Sequence, residues 1–291
     1  MISHGYEGKI AVVTGAASGI GKSVAEMLVE LKAKVYALDI SEVNIDGVEK
    51  SVYVDLSSKE SVDEAFKQLP EHIDSFFAVA GVQGDALPYI KTMKIDFVSN
   101  KYMCEEYLVN RMDEGGAICF VSSATAAGWY IEGNKKVYEG FVNVEGGWDA
   151  TVEAIEATGI TKLNPHYAYF SAKMAMNYYA EKLQSVFGPK HVRVNVVFPG
   201  ATITNFGSES REVYMKDTER LMRDFMAFVP YSQRAAQPEE AAYPCIFLNS
   251  DYASYISGTI IYCDYGVSGE KDAGLRELQN PTFEELLKEV E

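Results

Sequence analysis

A tyrosine four residues before a lysine on a helix brings a phenol and an ammonium onto one face, about a turn apart. The cation favours the phenolate, so the pair can give or take a proton near neutral pH. That is the general acid/base chemistry needed to interconvert a carbonyl and an alcohol. With 19 tyrosines in 291 residues about one such spacing arises by chance, and two occur, Tyr169/Lys173 and Tyr178/Lys182. If both lie on one helix, roughly 13 Å of axis separates them, so they cannot serve one site. Tyr169 falls in the first turns after Asn164-Pro165, near the sheet edge where ligands bind in open α/β folds. Tyr178 lies deeper, where packing or a subunit contact is the commoner use.

A second stretch suits phosphate. Thr14-Gly15-Ala16-Ala17-Ser18-Gly19-Ile20-Gly21 closes the apolar run Ile10-Ala11-Val12-Val13 and opens a helical run, Lys22 to Leu31. A strand, a glycine-rich turn and a helix point unpaired N–H groups and the positive end of the helix dipole at an anion. The spacing is G-x3-G-x-G, and a plain tight turn would use the same glycines. Asp39, closing the next apolar run Val35-Tyr36-Ala37-Leu38, supplies the acid about 20 residues on that a dinucleotide site requires.

The elements that must position these groups alternate short apolar runs with helical segments, which predicts an α/β, Rossmann-like doubly wound sheet of seven parallel strands with helices on both faces. The strands are expected at Ile10–Thr14, Val35–Asp39, Val52–Leu56, Ser75–Ala80, Ala117–Ser122, Arg193–Phe198 and Thr259–Cys263. No linker, charge block or repeat divides residues 1–291, so one domain is expected. Ala124 to Pro165 is long for a connection and holds both tryptophans, Trp129 and Trp148. Ala201 to Tyr231 carries Leu221, Met222, Phe225, Met226 and Phe228, either a helix packed on the core or an apolar lid over a greasy substrate. The stretch Glu270 to Glu291 ends in a short acidic amphipathic helix, read as a subunit contact or a solvated tail.

A net charge of −16 argues against nucleic acid and anionic membrane as partners. The four cysteines show no C-x-x-C spacing, so neither a metal nor a redox pair is expected, and they read as reduced core residues. No uncharged apolar stretch reaches 18 residues and Met1 to Gly8 lacks a signal-like core, from which a soluble cytoplasmic protein is expected.

Taken in order, several of these stretches resemble the short-chain dehydrogenase/reductase family, over roughly Gly8 to Gly269. They are T-G-x3-G-x-G at Thr14 to Gly21, Asp39, Asp55-Leu56, Ala78-Val79-Ala80-Gly81, Ser122-Ser123, Tyr169-Phe170-Ser171-Ala172-Lys173, Arg193-Val194-Asn195, and Pro199-Gly200 followed by Thr204. The resemblance implies that Tyr169 exchanges the proton while a nicotinamide exchanges hydride. Ser123 would hydrogen-bond the reacting oxygen, and Lys173 would depress the Tyr169 pKa and hold the nicotinamide ribose. One position departs: where the family has a catalytic Asn, this chain has Asp96, which has no amide hydrogen to donate but can accept from water. Asn100, a turn on, is the alternative.

Cofactor contacts implied by the resemblance are Gly15, Ser18, Gly19, Ile20, Gly21, Asp39, Ile40, Asp55, Leu56, Ala80, Gly81, Tyr169, Lys173, Pro199, Gly200, Thr202 and Thr204. Asp39 would accept from the adenosine ribose hydroxyls and repel a 2′-phosphate, and Ser18 offers no cation to hold one, so NAD(H) is expected over NADP(H). The long insert resembles that of bacterial hydroxysteroid dehydrogenases, of 3α or 20β type. A steroid is therefore the expected substrate, with the insert and the Ala201 to Tyr231 segment as an apolar pocket. If those segments pack inward, a smaller alcohol, sugar or carbonyl compound is expected instead; Asp96 alone favours a third reading, a catalytically silent NAD-binding sensor. The resemblance also implies a homotetramer, with the helices of the fourth and fifth crossovers packing across subunits.

Overall fold

Seven runs rich in β-branched and aromatic residues form strands: β1 (Ile10–Thr14), β2 (Lys34–Asp39), β3 (Lys50–Tyr53), β4 (Ser75–Ala78), β5 (Ala117–Val121), β6 (Arg193–Pro199) and β7 (Ile260–Cys263). In the computed structural model, which describes residues 5–84, 87–204, 229–278 and 280–290, they make one parallel sheet in the order β3-β2-β1-β4-β5-β6-β7. Strands β5 and β6 are buried along their whole length, as parallel strands covered on both faces must be. The chain leaves β1 for β2 and β3 and returns to β4 on the other side. The crevice at the carboxyl ends of the strands therefore opens between β1 and β4.

Alternate strand residues feed two cores. Ala11, Val13, Phe77, Cys119 and Val197 pack with helix α1 (Gly19–Glu30) on one face, and Val12, Phe76, Ile118, Phe120 and Val196 face the other. That second layer begins with α2 (Lys59–Phe66). It continues in a rod made of α3 (Tyr89–Met93), α4 (Ser99–Tyr102) and α5 (Val109–Arg111), joined by π-helical turns at Lys94–Val98 and Met103–Leu108.

Only β1 keeps the expected bounds: β2 starts and β6 ends one residue beyond them, β7 starts one residue late, and β3, β4 and β5 end early. β3 starts two residues earlier and stops at Tyr53, because Asp55 turns the chain by accepting from the Ser57 N–H at 2.8 Å. β4 stops at Ala78 because the N–H groups of Val79 and Ala80 turn to Thr14 Oγ1. β5 ends at Val121, although the Ser122 N–H still donates to the Val197 carbonyl.

The long insert has structure of its own, α6 (Glu132–Val142) and α7 (Gly147–Ala157), and its apolar residues point inward. Phe141 meets Phe97 at 5.5 Å between ring centres and Trp148 meets Tyr102 at 5.8 Å, both edge-on. The buried Lys101 ammonium is held by Glu105 at 2.7 Å and the Val144 carbonyl at 2.8 Å. The insert thereby roofs the rod and α8 (His166–Lys182), the helices that the resemblance had packing across subunits; this chain covers them itself. Tyr178 packs against Tyr138 at 5.3 Å and donates to Glu139, so the second Tyr/Lys pair is packing.

After α9 (Gln184–Phe187) and β6, the described chain resumes with α10 (Pro238–Asn249), which packs on α1, and ends in α11 (Val267–Asp272) and α12 (Phe283–Lys288). Leu221, Met222, Phe225, Met226 and Phe228 lie outside the described residues, as does most of the expected lid. The acidic tail helix packs on its own chain rather than standing free in solvent. Thr282 and Glu285 form a reciprocal cap, Phe283 and Leu286 are buried, and the Phe283 N–H donates to Asn134 Oδ1 of α6 at 2.9 Å. Phe283→Ala is expected to release α12 at a cost of up to about 3 kcal/mol. Hydrogen exchange should then speed up in 283–288 and in α6 while β5 and β6 stay protected; unchanged exchange in 283–288 would show that the docking contributes nothing.

Candidate active site

The glycine turn after β1 is closed by sterics. Gly15 (φ +74°) lies against β4's exit, where an added Cβ would come 2.8 Å from Ala80 Cα, and a Cβ on Gly21 would come 2.1 Å from the Gly15 carbonyl oxygen. Gly19 also has positive φ, and a Cβ there would meet the Thr204 methyl at 3.0 Å. Ser18 is the extended N-cap of α1 and makes no side-chain cap bond, which leaves the first-turn N–H groups facing the crevice. Asp39 holds the rim, accepting from the Ala17 N–H through Oδ2 and the Ser41 N–H through Oδ1, each at 2.9 Å. A strand-end acid beside a cradle with no room for side chains fits a dinucleotide.

The remaining expected cofactor residues line the same edge. Ile20 follows Gly19 in the first turn of α1, and Ile40 is exposed beside Asp39. Asp55 Oδ1 is tied to Ser57, the Asp55 N–H donates to Ser61 Oγ at 2.9 Å, and Leu56 is buried in the core. Pro199 ends β6, Gly200 packs against Asp264, and Thr202 donates to the Gly200 carbonyl at 3.1 Å.

Helix α8 brings Tyr169 and Lys173 under the end of β5. Lys173 is almost wholly buried; its Nζ donates to the Val121 carbonyl at 3.0 Å and stands 5.5 Å from the centre of the Tyr169 ring. Ser123 Oγ accepts from the Thr125 N–H at 3.2 Å and the Thr125 hydroxyl at 3.0 Å. A serine oxygen has two lone pairs and one hydrogen, so these bonds leave its hydrogen to point outward. It meets the Tyr169 hydroxyl, and this bond pulls the phenol pKa down. Thr125 was not among the expected site residues; its Ser-x-Thr spacing to Ser123 was the signal available.

Burial outweighs that bond and raises the Tyr169 pKa, and the Asp96 charge adds to the rise. The net shift runs opposite to the expected depression by Lys173, whose own pKa burial lowers against the opposing pull of Asp96. Asp96 itself is wholly buried in the first π-helical turn, with Oδ1 accepting from the Val82 N–H at 2.9 Å. Gly81 is wedged beside both charges; a Cβ there would lie 3.3 Å from Lys173 Nζ and 3.5 Å from Asp96 Oδ1. Burial pushes the Asp96 pKa up to about 6 although Lys173 and the Val82 N–H draw it down. Asn100 does not replace it, since its amide donates to the Asp96 carbonyl at 3.1 Å.

The matches to known proteins agree with this geometry. A family model described as short chain dehydrogenase matches residues 9–138, and one described as enoyl-(acyl carrier protein) reductase matches 145–268. Coniferyl-alcohol dehydrogenase from a Pseudomonas species is 30% identical over 266 residues, covering 89% of this chain and 96% of that one. NAD-dependent glycerol dehydrogenase from Listeria innocua is 27% identical over 275 residues, covering 89% and 93%. Among solved structures, the 3-alpha-hydroxysteroid dehydrogenase from Pseudomonas sp. B-0831, complexed with NADH, superposes with a TM-score of 0.71 at 24% identity, covering 92% of this chain and 98% of that one.

Two outcomes follow from the site's geometry. Gly21→Ala forces a backbone shift and is expected to cost about 1–3 kcal/mol and abolish NADH binding by fluorescence titration, while Gly188→Ala, with open space around it, should be silent. A carboxyl whose folded pKa is raised stabilises the fold at acid pH and loses that contribution as pH rises through the folded value. Between about pH 4 and pH 7 the loss from Asp96 should reach up to about 3 kcal/mol. Asp96→Asn should remove that slope from denaturant midpoints; an unchanged slope would locate the titration elsewhere.

Proposed function

The chain belongs to the short-chain dehydrogenase/reductase family, and from that footing we propose an NAD(H)-dependent enzyme that interconverts a hydrophobic alcohol and its carbonyl with Tyr169 as the proton donor and acceptor. The observation that carries this reading is the Ser123–Tyr169 hydrogen bond, backed by Lys173 and facing the glycine cradle. When bound, the nicotinamide supplies or accepts the hydride. Gly15, Gly19, Gly21 and the start of α1 would hold its diphosphate and Asp39 its adenosine ribose. Asp39 supports NAD(H) through its negative charge, and one relative is named as NAD-dependent.

Tyr169 and Ser123 divide the work on the reacting oxygen. With substrate bound, Ser123 would turn its one hydrogen from Tyr169 to that oxygen and stabilise the negative charge that grows there. Tyr169 gives its proton to that oxygen in reduction or takes one from the alcohol in oxidation. Its raised pKa keeps the phenol protonated at neutral pH, which is the form reduction needs. Lys173 would hold the nicotinamide ribose, with Asp96 balancing its buried charge.

Two substrate readings have specific support. A hydroxysteroid attacked at a 3-keto or 20-keto position is supported by the insert's resemblance and the likeness to a 3-alpha-hydroxysteroid dehydrogenase. A more compact alcohol is supported by the insert's inward packing: Trp148, Phe141 and Tyr138 lie in the core. We favour the compact alcohol, since an insert whose apolar face is buried leaves less of it to line a steroid pocket.

Tyr169→Phe should lower turnover at least about a thousandfold and leave NADH binding within twofold. Oxidation of the alcohol should rise with pH toward the alkaline side, whereas reduction should not. Asp96→Asn, by removing a negative charge beside the phenol, should move the oxidation limb to lower pH. NADH oxidation with a 3-keto bile acid, a 20-keto corticosteroid and small aldehydes in separate wells decides the substrate class. Binding of NADH without turnover of any of them would favour the silent sensor.

A further inference from the structure

The first turn of α8 carries a group that the proton chemistry does not use. His166 precedes Tyr169 by three residues and Lys173 by seven, so all three share one stripe of the helix. It stands about 5 Å along the axis from Tyr169, on the side away from Lys173 and toward the mouth of the crevice. The imidazole is exposed and packs at 4.9 Å against Phe170 and 5.6 Å against Tyr167, while Phe170 lies 6.4 Å from the Tyr169 ring itself. The turn is held in place. Pro165 presses on the loop after β4, where a Cβ on Gly84 would come 2.3 Å from the Pro165 oxygen, and the His166 N–H donates to Asn164 Oδ1 at 3.0 Å.

We propose that His166 and Phe170 determine specificity, reading a planar aromatic ring carried by the substrate about one helical turn from its reacting carbon. The substrate class is an aryl alcohol and its aldehyde, and the inference rests on the dehydrogenase reading above. Rings inclined to each other, as His166 and Phe170 are at 57°, offer a face and an edge together. An aromatic group gains from that arrangement through its quadrupole, beyond the area it buries, and a saturated ring does not. With Tyr169 and Ser123 fixing the carbinol oxygen, a ring attached at the carbinol comes within a helical turn's reach of His166.

The test is a matched pair, 4-hydroxybenzyl alcohol against cyclohexylmethanol, with wild type, His166→Ala and His166→Phe. Wild type should prefer the aryl alcohol about tenfold in kcat/KM. His166→Ala should erase most of that preference through KM, with kcat for cyclohexylmethanol and NADH affinity unchanged; His166→Phe should restore the ring preference. Equal use of both alcohols by wild type, or a preference that survives His166→Ala, overturns the assignment. Turnover of a steroid but of neither alcohol overturns the aryl class and leaves the dehydrogenase reading standing. If nothing is turned over, calorimetric titration of the aryl alcohol into the NADH complex decides: binding that His166→Ala weakens supports the platform, and no binding overturns it.

Discussion

An ammonium with almost no contact with water, Lys173, is the constraint from which the arrangement of this active site follows. A buried cation needs hydrogen-bond acceptors or a counter-charge, or it gives up its proton. The Val121 carbonyl and Asp96 meet that need from two elements distant in sequence, the end of β5 and the rod after β4. Both approach closely, so a side chain at Gly81 would crowd Lys173 Nζ at 3.3 Å. The π-helical turn places Asp96 with its Oδ1 on the Val82 N–H, which ties the loop after β4 to the same point. The two polar ends of the crevice are thereby registered against each other, the glycine cradle at β1 and the tyrosine on α8.

The insert protects that arrangement. The helices that carry Asp96 and Lys173 would otherwise present their outer faces to solvent. With α6 and α7 packed across them, α8 is buried over most of its length. The same packing turns Tyr178 from a possible second acid/base pair into a half-buried ring hydrogen-bonded to Glu139.

Features set by local spacing were legible before any coordinates. The glycine turn, Asp39 and the Tyr169/Lys173 stripe each depend on a few consecutive residues whose geometry follows from strand and helix repeats. What depended on tertiary contact was not legible. The sign of the Tyr169 shift needs the depth of the phenol and the position of Asp96, and neither is contained in a four-residue spacing. The Thr125 bonds to Ser123 form only because the chain turns tightly after β5. In the insert, Val137, Phe141, Trp148 and Ile155 recur at helical intervals, but periodicity says only that one face is apolar. Whether that face meets substrate or the chain's own rod is decided by the fold. The same ambiguity attends α12, whose docking on α6 through the Phe283 N–H is visible only in the fold.

The seal over the rod is completed by residues far along the chain. Asn134 of α6 receives its Phe283 N–H partner only from α12, which is separated from it by β6, β7 and the whole of the last crossover. During synthesis, the strands through β5 and the catalytic helix leave the ribosome well before that partner exists. The roof must therefore wait, incompletely clamped, with Val137 and Phe141 held only by the rod and α8. Closure becomes a late step in the birth of each molecule, and a chain halted before residue 283 would carry Tyr169 and Lys173 beneath an unfinished cover.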